Sequence, residues 1–419
     1  MSGTTSMTIF PKKAWTVLVY IAGDNNLDPY ARKGFSKMRW LPSDEHLHIV
    51  AQFDGRGDHT YRYRFARLKQ EQIGPPLDDI NTGDPKELTR FINWGQTHFP
   101  AEKTALIIWN HGTGIKNLPA NFDYASIRSR ETEQSKIELQ RTLFDATLHK
   151  LSQRQPRLRG IAIDATARDY LDTQELASAL AAAQQDNRKL DLIGFDACLM
   201  NILEIAYEIH DYAHFMVGSQ ETASGSGWPY DKIFTALAAA PEMTAKQLGE
   251  TVVHEYSRAT GKEMRGRASP YTQAVLDLGQ TSQTYTLIET LSNALLVPEI
   301  SSHGVFEYAL RQMANEVKRF QDRDLADLGH WCELLHSKTN GPMNKTFREP
   351  LNALISHLEP GAGVVVVADA HGGNDMDTIN GLSIYWPNQT IIDIYDDLRF
   401  AQSRWGELAK RNIELQERS

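Results

Sequence analysis

Two residues of the chain, a histidine and a cysteine, have the types and positions that nucleophilic catalysis needs. His111 comes two residues after the end of the apolar run at residues 104–109 and is followed by a glycine-rich loop. Cys198 comes shortly after the apolar run at residues 190–195 and precedes a helix-compatible stretch at residues 201–209. Because a helix N-terminus favours negative charge, a cysteine there is favoured as the thiolate. A thiolate beside a histidine is a nucleophile with its proton-transfer partner.

The elements that must position this pair form an alternating pattern. Short runs rich in Val, Ile and Leu, each ending in Gly, Asp or Asn, are typical of strands covered on both faces. Helix-compatible stretches lie between them, and two have clear starts at Asp84 and Asp172. The alternation predicts a mostly parallel sheet with a site at the carboxyl ends of its strands. The predicted buried strands are residues 15–22, 47–53, 104–109, 161–164, 190–195 and 215–219.

The second half of the chain has a different pattern. After about residue 235 the sequence is mainly helical, so we expect a catalytic domain at residues 1–235 and a C-terminal region at residues 236–419. The C-terminal region is expected to return strands to the sheet. Residues 61–68 alternate instead, which predicts a half-exposed antiparallel edge strand. The later predicted elements are strands at 271–278, 363–369 and 381–387 and a helix at 397–415.

The composition excludes several classes of protein. The 419 residues carry a net charge of −9, whereas a general nucleic-acid binder has a basic excess. The two cysteines are too few for a disulfide framework or a cysteine-built zinc site, and Cys332 lies in an apolar helical pattern that predicts a core position. We find no secretory signal pattern and no apolar run of about 20 residues, so we expect a cytoplasmic chain with no membrane contact.

Three blocks of the sequence together resemble the clostripain family of cysteine peptidases, which belongs to the same clan as caspases, gingipains and legumain. The resemblance implies a caspase-like α/β fold, with a mostly parallel sheet flanked by helices and a mainly helical C-terminal elaboration. The blocks are residues 15–27 (WTVLVYIAGDNNL), 110–112 (NHG) and 194–200 (GFDACLM), with further similarity at 219–222 (SQET), 225–230 (GSGWPY) and 381–387 (GLSIYWP).

By this resemblance the chain is expected to be a cysteine endopeptidase that acts on proteins or peptides. Cys198 would attack the scissile carbonyl and His111 would assist proton transfer. The backbone N–H groups of Gly112 and Cys198 would form the oxyanion hole. Two alternatives remain open: a non-catalytic caspase-like scaffold or binding protein, and an amidase with a cysteine nucleophile that acts on small molecules.

The resemblance also implies cleavage after Arg or Lys, through acidic groups in the S1 pocket. Asp196 matches an acidic position of the family motif, and Glu221 and Thr222 follow a predicted strand on the same side of the sheet. Asp196 has an alternative role as a helix cap or a loop anchor. The loop at residues 223–227 lacks the acidic residue that some relatives carry there.

The resemblance also has implications for regulation and for cation binding. Family members are often zymogens cut at a basic residue between the histidine and the cysteine, so activity is expected to await an activating protease or a regulatory partner. Lys116, Arg128 and Arg130 are candidate processing sites, with a solvated loop as the alternative. Some relatives use calcium, but no cofactor and no metal ligand is assigned. The candidate oxygen ligands for a cation are Asp24, Asn25, Asn26 and Asp28.

Overall fold

The computed structural model of the chain describes residues 8–115, 124, 160–263, 270–301, 304–339 and 345–417. Strands and helices alternate through the first half of these residues, as the sequence predicts. The strands are β1 (Lys13–Gly23), β2 (Leu47–Gly55), β3 (His59–Ala66), β4 (Lys69–Gln72), β5 (Leu77–Asp78), β6 (Ala101–Trp109), β7 (Ile161–Asp164), β8 (Asp169–Leu171), β9 (Leu190–Asp196), β10 (Ala213–Gly218), β11 (Tyr271–Asp277), β12 (Leu325–Asp327), β13 (Val366–Gly372) and β14 (Ser383–Tyr385).

Helices connect these strands and cover the sheet. Asp84 and Asp172, the two predicted helix starts, each accept a hydrogen bond from the first turn of the helix that follows, and Asp172 forms a full capping box with Glu175. The helices are α1 (Asp28–Met38), α2 (Pro85–His98), α3 (Thr173–Ala183), α4 (Leu203–Ile209), α5 (Tyr230–Ala239), α6 (Ala245–Glu263), α7 (Thr281–Leu295), α8 (Pro298–Ser301), α9 (Gly304–Glu316), α10 (Leu328–Lys338), α11 (Lys345–Leu358) and α12 (Trp405–Glu417).

The central sheet has ten strands and is parallel in its middle. Its order is β13-β11-β10-β9-β6-β1-β2-β3-β4, and β5 pairs with β3. The pairs β10–β9, β9–β6, β6–β1 and β1–β2 are parallel, whereas β3 and β4 on one side and β11 and β13 on the other are antiparallel. Every residue of β2 is buried, as expected of a strand covered on both faces. The expected mostly parallel sheet flanked by helices is confirmed.

One predicted strand does not join this sheet. Residues 161–164 form β7, which pairs with β8 in a separate antiparallel hairpin and meets the loop after β6 through an isolated bridge between Ile161 and Gly112. The chain turns back because the Asp164 carboxylate accepts hydrogen bonds from the N–H groups of Thr166 and Ala167, at 3.0 and 2.8 Å. The hairpin instead lies beside the ends of β1 and β6.

The C-terminal region returns two strands to the sheet and keeps two others outside it. β11 and β13 extend the sheet, but β14 pairs with β12 in a two-stranded sheet. Trp386, directly after β14, lies in a fully buried cluster with Trp331 and Trp405, with ring centroids 4.9 to 5.3 Å apart. This packing holds the end of β14 against α10 and α12. The boundary at residue 235 stays a prediction, and α5 spans that position.

The antiparallel edge predicted at residues 61–68 is confirmed as β3. Two of its arginines contact other side chains of the protein and do not only face solvent. Arg64 pairs with Asp44 at 2.6 Å, and the Arg62 guanidinium lies over the Trp94 ring, 4.3 Å from its centroid. Among the described residues, no helix combines the length and the apolar character that crossing a membrane requires.

Candidate active site

Strand pairing brings His111 and Cys198 to one edge of the sheet. In the parallel pair β6–β9, Trp109 lies opposite Asp196. His111 and Cys198 each come two residues after those partners, so both follow their strands at the same level. The loops touch, since a Cβ atom added to Gly112 would lie 2.2 Å from the Cys198 carbonyl oxygen. The structure therefore places the predicted pair on adjoining loops at the carboxyl ends of neighbouring strands.

The loop that carries His111 is anchored by Asn110, whose side chain is 1% exposed. Its amide nitrogen donates to the carbonyl oxygens of Ala22, at the end of β1, and of Ile163, in β7. Its amide oxygen accepts from the Ile163 N–H at 3.1 Å. These hydrogen bonds join the ends of β1, β6 and β7 and anchor the backbone just before His111.

The His111 imidazole is buried and neutral at physiological pH. The side chain is 2% exposed, and burial lowers its pKa from 6.5 to about 4. Its Nε2 atom lies 2.8 Å from Oδ1 of Asn26, which follows β1. A neutral imidazole has one free nitrogen lone pair, so this ring is able to accept a proton.

The Cys198 thiol is also buried, and it lies in a loop rather than at a helix terminus. The helix predicted at residues 201–209 is present as α4, but it begins at Leu203, five residues after Cys198, so the thiol does not lie at its N-terminus. Leu199 has a positive φ of 57° and Ile202 is extended, which interrupts helical backbone between them. The Sγ atom instead accepts a hydrogen bond from the Ala223 N–H at 3.2 Å. This donor favours negative charge on the sulfur in place of a helix terminus.

Asp196 faces the loop at residues 227–230. Its Oδ2 atom accepts hydrogen bonds from the Trp228 N–H at 2.9 Å and the Tyr230 hydroxyl at 2.8 Å. Burial raises the pKa of Asp196 to about 6, against these two hydrogen bonds and the Lys37 charge, which lower it. Asp196 therefore anchors this loop, and it does not cap α4. Its Oδ1 atom accepts no hydrogen bond from the described residues.

Glu221 and Thr222 lie on the segment that follows β10 and contacts the cysteine loop. The Glu221 carbonyl accepts from the Leu199 N–H at 3.2 Å, directly after the cysteine. The Glu221 carboxylate accepts from the Thr222 N–H at 2.8 Å and from the Gln321 N–H at 3.3 Å. The buried Glu221 side chain is thus tied to backbone groups, and Thr222 is half-buried.

The candidate cation ligands are used for other contacts. One side-chain oxygen of each residue already lies at a nitrogen of the protein, which is unlike the converging free oxygens of a calcium site. Among the described residues, no group of three or more His, Cys, Asp or Glu side chains is arranged to hold a metal ion. The pairs are Asp24 with the Thr166 N–H, Asn25 with the Leu27 N–H, Asn26 with the His111 ring, and Asp28 with the Arg32 guanidinium.

Sequence reasoning missed the supporting roles of Asn26, Asn110 and Ala223. Asn110 precedes the histidine, but an asparagine after a strand has the ordinary pattern of a turn residue. No signal in the sequence connects Ala223 to a sulfur atom. The candidate processing residues Lys116, Arg128 and Arg130 lie outside the described residues.

Similarity to known proteins identifies the family of the chain. The sequence model for Peptidase C11, described as the Clostripain family, matches residues 19–125 and 147–408. Clostripain of Hathewaya histolytica is 29% identical over 255 residues, which cover 54% of this chain and 42% of clostripain. The chain thus matches less than half the length of that relative.

Solved structures share the fold. A secreted C11 cysteine protease from Bacteroides thetaiotaomicron, in complex with an irreversible peptide inhibitor, has a TM-score of 0.64 at 17% identity, over 95% of this chain and 99% of its own. An inactive zymogen C11 protease from Parabacteroides distasonis has a TM-score of 0.62 at 19% identity, over 94% and 99%. With the matched sequence model covering most of its length, the chain belongs to the clostripain family.

Proposed function

We propose that the chain is a cysteine endopeptidase whose catalytic dyad is Cys198 and His111. The observation that carries the proposal is the shared register of the two residues on β6 and β9, with the Gly112 and Cys198 backbones in contact. Membership of the clostripain family supports the same reaction. The two alternatives, a scaffold and a small-molecule amidase, become outcomes of the test below.

The reaction follows from the chemistry of the pair. The Cys198 Sγ atom, as thiolate, attacks the scissile carbonyl carbon and forms a tetrahedral intermediate. The C–N bond breaks, the leaving amine takes a proton from His111, and a thioester remains on the sulfur. Water then attacks the thioester, giving its proton to His111, and releases the carboxylic acid product and Cys198. The low pKa of His111 supports the neutral form that accepts the proton of Cys198.

The oxyanion hole is proposed at the backbone N–H groups of Gly112 and Cys198. The Gly112 N–H donates to no acceptor among the described residues, so it is available for a substrate oxygen. The lack of a side chain allows the two loops to approach within a distance that any Cβ atom would prevent. Preorganised backbone donors of this kind stabilise the charge that develops on the carbonyl oxygen.

Specificity for Arg or Lys is proposed to come from Asp196. Its buried carboxylate has one oxygen not occupied by the described residues, which suits a cationic side chain. The Lys37 ammonium is near enough for its charge to lower the pKa of Asp196, and its Nζ atom donates to the Ser226 carbonyl at 2.9 Å. Glu221 and Thr222, on the adjoining segment, are proposed as further substrate contacts.

We further propose that the described conformation is latent. Cys198 is 0% exposed and His111 is 2% exposed, so a peptide reaches the sulfur only after the surrounding loops move. Cleavage by an activating protease or binding of a regulatory partner would supply that movement. Full activity of the uncleaved chain on short peptides, without any added factor, would contradict latency. The cytoplasmic location stays a prediction, and two of the similar solved structures are described as those of a secreted protease.

A positional-scanning library of extended peptides tests the reaction and the specificity together. The full chain is assayed before and after limited proteolysis, as wild type, Cys198→Ser and Asp196→Asn, with Cys332→Ser as the matched cysteine control. We expect Cys198→Ser to abolish cleavage, Cys332→Ser to retain it, and Asp196→Asn to lose the preference for Arg or Lys at P1.

Other outcomes identify the alternatives. Faster turnover of simple amides than of extended peptides would indicate a small-molecule amidase. No turnover of either class, before or after proteolysis, would indicate a scaffold. An unchanged P1 preference in Asp196→Asn would contradict the assignment of the S1 residue while leaving the dyad intact.

A further inference from the structure

We propose that Asn26 is a positioning residue, which holds the His111 ring through Nε2 and thereby selects the neutral tautomer that carries its proton on that nitrogen. The inference rests on the proposed function, because it assigns the nitrogen through which His111 exchanges protons. Asn26 lies 85 positions before His111 in the chain and contacts it through the fold alone.

The contact is short and shielded from water. Oδ1 of Asn26 lies 2.8 Å from Nε2 of His111. The imidazole is buried, and Asn26 is half-buried in the loop between β1 and α1. In surroundings from which water is largely excluded, a hydrogen bond to a ring nitrogen has little competition and restricts the rotation of the ring.

The backbone on either side of Asn26 is fixed, so its side chain is presented from a rigid loop. The N–H of Asn25 donates to the Gly23 carbonyl at 2.7 Å, and its amide nitrogen donates to the Ile163 carbonyl at 2.8 Å. The Asn25 amide oxygen accepts from the Leu27 N–H at 2.9 Å. Asn25 therefore anchors the loop to β1 and β7, and Asn26 is left to face the histidine.

The chemistry of an amide explains why an asparagine, and not an aspartate, suits position 26. Because the Asn26 oxygen is an acceptor, it favours the ring with its proton on Nε2, which leaves the lone pair on Nδ1. A carboxylate in this place would also stabilise the imidazolium and raise the pKa of His111, whereas a neutral amide orients the ring without adding charge. Burial lowers that pKa to about 4, and the neutral amide adds no charge that would oppose this shift.

The kinetic test compares Asn26→Leu, which removes the acceptor at similar size, with Asn26→Asp, which keeps an acceptor and adds charge. Asn293→Asp, on the exposed face of α7, is the control that gives the chain the same extra charge elsewhere. We expect Asn26→Leu to lower kcat about 5- to 150-fold with little change in KM, because the substitution removes the hydrogen-bond acceptor of a buried ring nitrogen. We expect Asn26→Asp to retain more activity than Asn26→Leu and to shift the acid limb of the pH profile to higher pH.

A spectroscopic test does not depend on activity. The full chain is labelled with 15N-histidine in the Cys198→Ala background, and the His111 signals are identified as those absent after His111→Gln. We expect the Nε2-protonated tautomer at pH 7, and its loss or mixing with the other tautomer in Asn26→Leu. A Nδ1-protonated ring, or a tautomer unchanged by Asn26→Leu, would overturn the proposal.

The two tests separate the two proposals. If the wild type and Cys198→Ala are equally inactive after proteolysis, the peptidase proposal fails, and the spectra still decide the role of Asn26. If the wild type is active but Asn26→Leu has the same kcat and the same pH profile as Asn293→Asp, the role of Asn26 is refuted and the dyad stands.

Discussion

The contact between Gly112 and the cysteine loop is the most sensitive point of the proposed site. In Gly112→Ala, the new Cβ atom would lie 2.2 Å from the Cys198 carbonyl oxygen and 3.0 Å from the Ala197 Cβ and the Met200 Cγ. The first of these contacts is impossible, since Cβ atoms do not approach other atoms closer than 3.0 Å. The Cys198 carbonyl oxygen is a backbone atom, so rotation of a side chain cannot relieve the clash.

The magnitude follows from the required movement. To restore a 3.0 Å contact the two loops must separate by about 0.8 Å, which moves the histidine relative to the sulfur. A displacement of about 1 Å in a catalytic arrangement costs about 100-fold in rate. We therefore expect Gly112→Ala to lower kcat/KM about 100-fold, with a loss of stability of about 1–3 kcal/mol from overpacking.

The assay is cleavage of a fluorogenic peptide by the processed chain, with chemical unfolding measured in parallel. Gly57→Ala is the matched control, because a Cβ atom there meets nothing within 4 Å and the residue is exposed. We expect the control to keep wild-type kcat/KM and stability. Wild-type kcat/KM in Gly112→Ala would show that the two loops do not need this close approach, which would refute the reasoning.

Three further predictions concern protons and anchoring. Because burial lowers the pKa of His111 from 6.5 to about 4, the unfolded chain binds a proton first as the pH falls. Up to about 3 kcal/mol of stability is then lost between pH 6.5 and 4, and His111→Gln should lose less over that range in urea unfolding. Because the pKa of Asp196 is about 6, its charge disappears as the pH falls through that value. KM for peptides with P1 Arg should then rise, and this pH dependence should be absent in Asp196→Asn. Asn110→Ala leaves the Ile163 N–H without its buried partner, so we expect about 1–3 kcal/mol lower stability, against no change in the control Asn352→Ala at an exposed position of α11. Equal stability of Asn110→Ala and wild type would contradict its anchoring role.

The ends of the central strands were predictable from the sequence because the apolar runs stop abruptly at polar residues. Trp109 ends β6 where the pattern places it, and Asp196 ends β9 one residue beyond the predicted end. That these strands are neighbours, and that their ends are level, depends on pairing between segments far apart in the chain. The short run at residues 161–164 also matches a central strand by composition. It forms a hairpin because Asp164 binds the backbone of its own turn.

The details of the site depended on local geometry that composition does not reveal. α4 begins two residues later than the sequence predicts: its N-cap, Ile202, is extended and provides no side-chain cap, and Leu199 adopts a left-handed backbone conformation. Asn26 had the pattern of a turn residue or an oxygen ligand after β1. Its contact with His111 arises only when β1 and β6 pair, so no local signal indicates it.

Covalent labelling tests the central claim, that Cys198 is the nucleophile, most directly. A peptidyl acyloxymethyl ketone with P1 Lys is added to the proteolytically processed full chain, and the modified residue is located by mass spectrometry. Cys332 is an internal control, since it is buried and burial raises the pKa of its thiol well above the usual value. We predict one adduct per chain, on Cys198, and none in Cys198→Ala. An unmodified Cys198, or an adduct on Cys332, would contradict the claim.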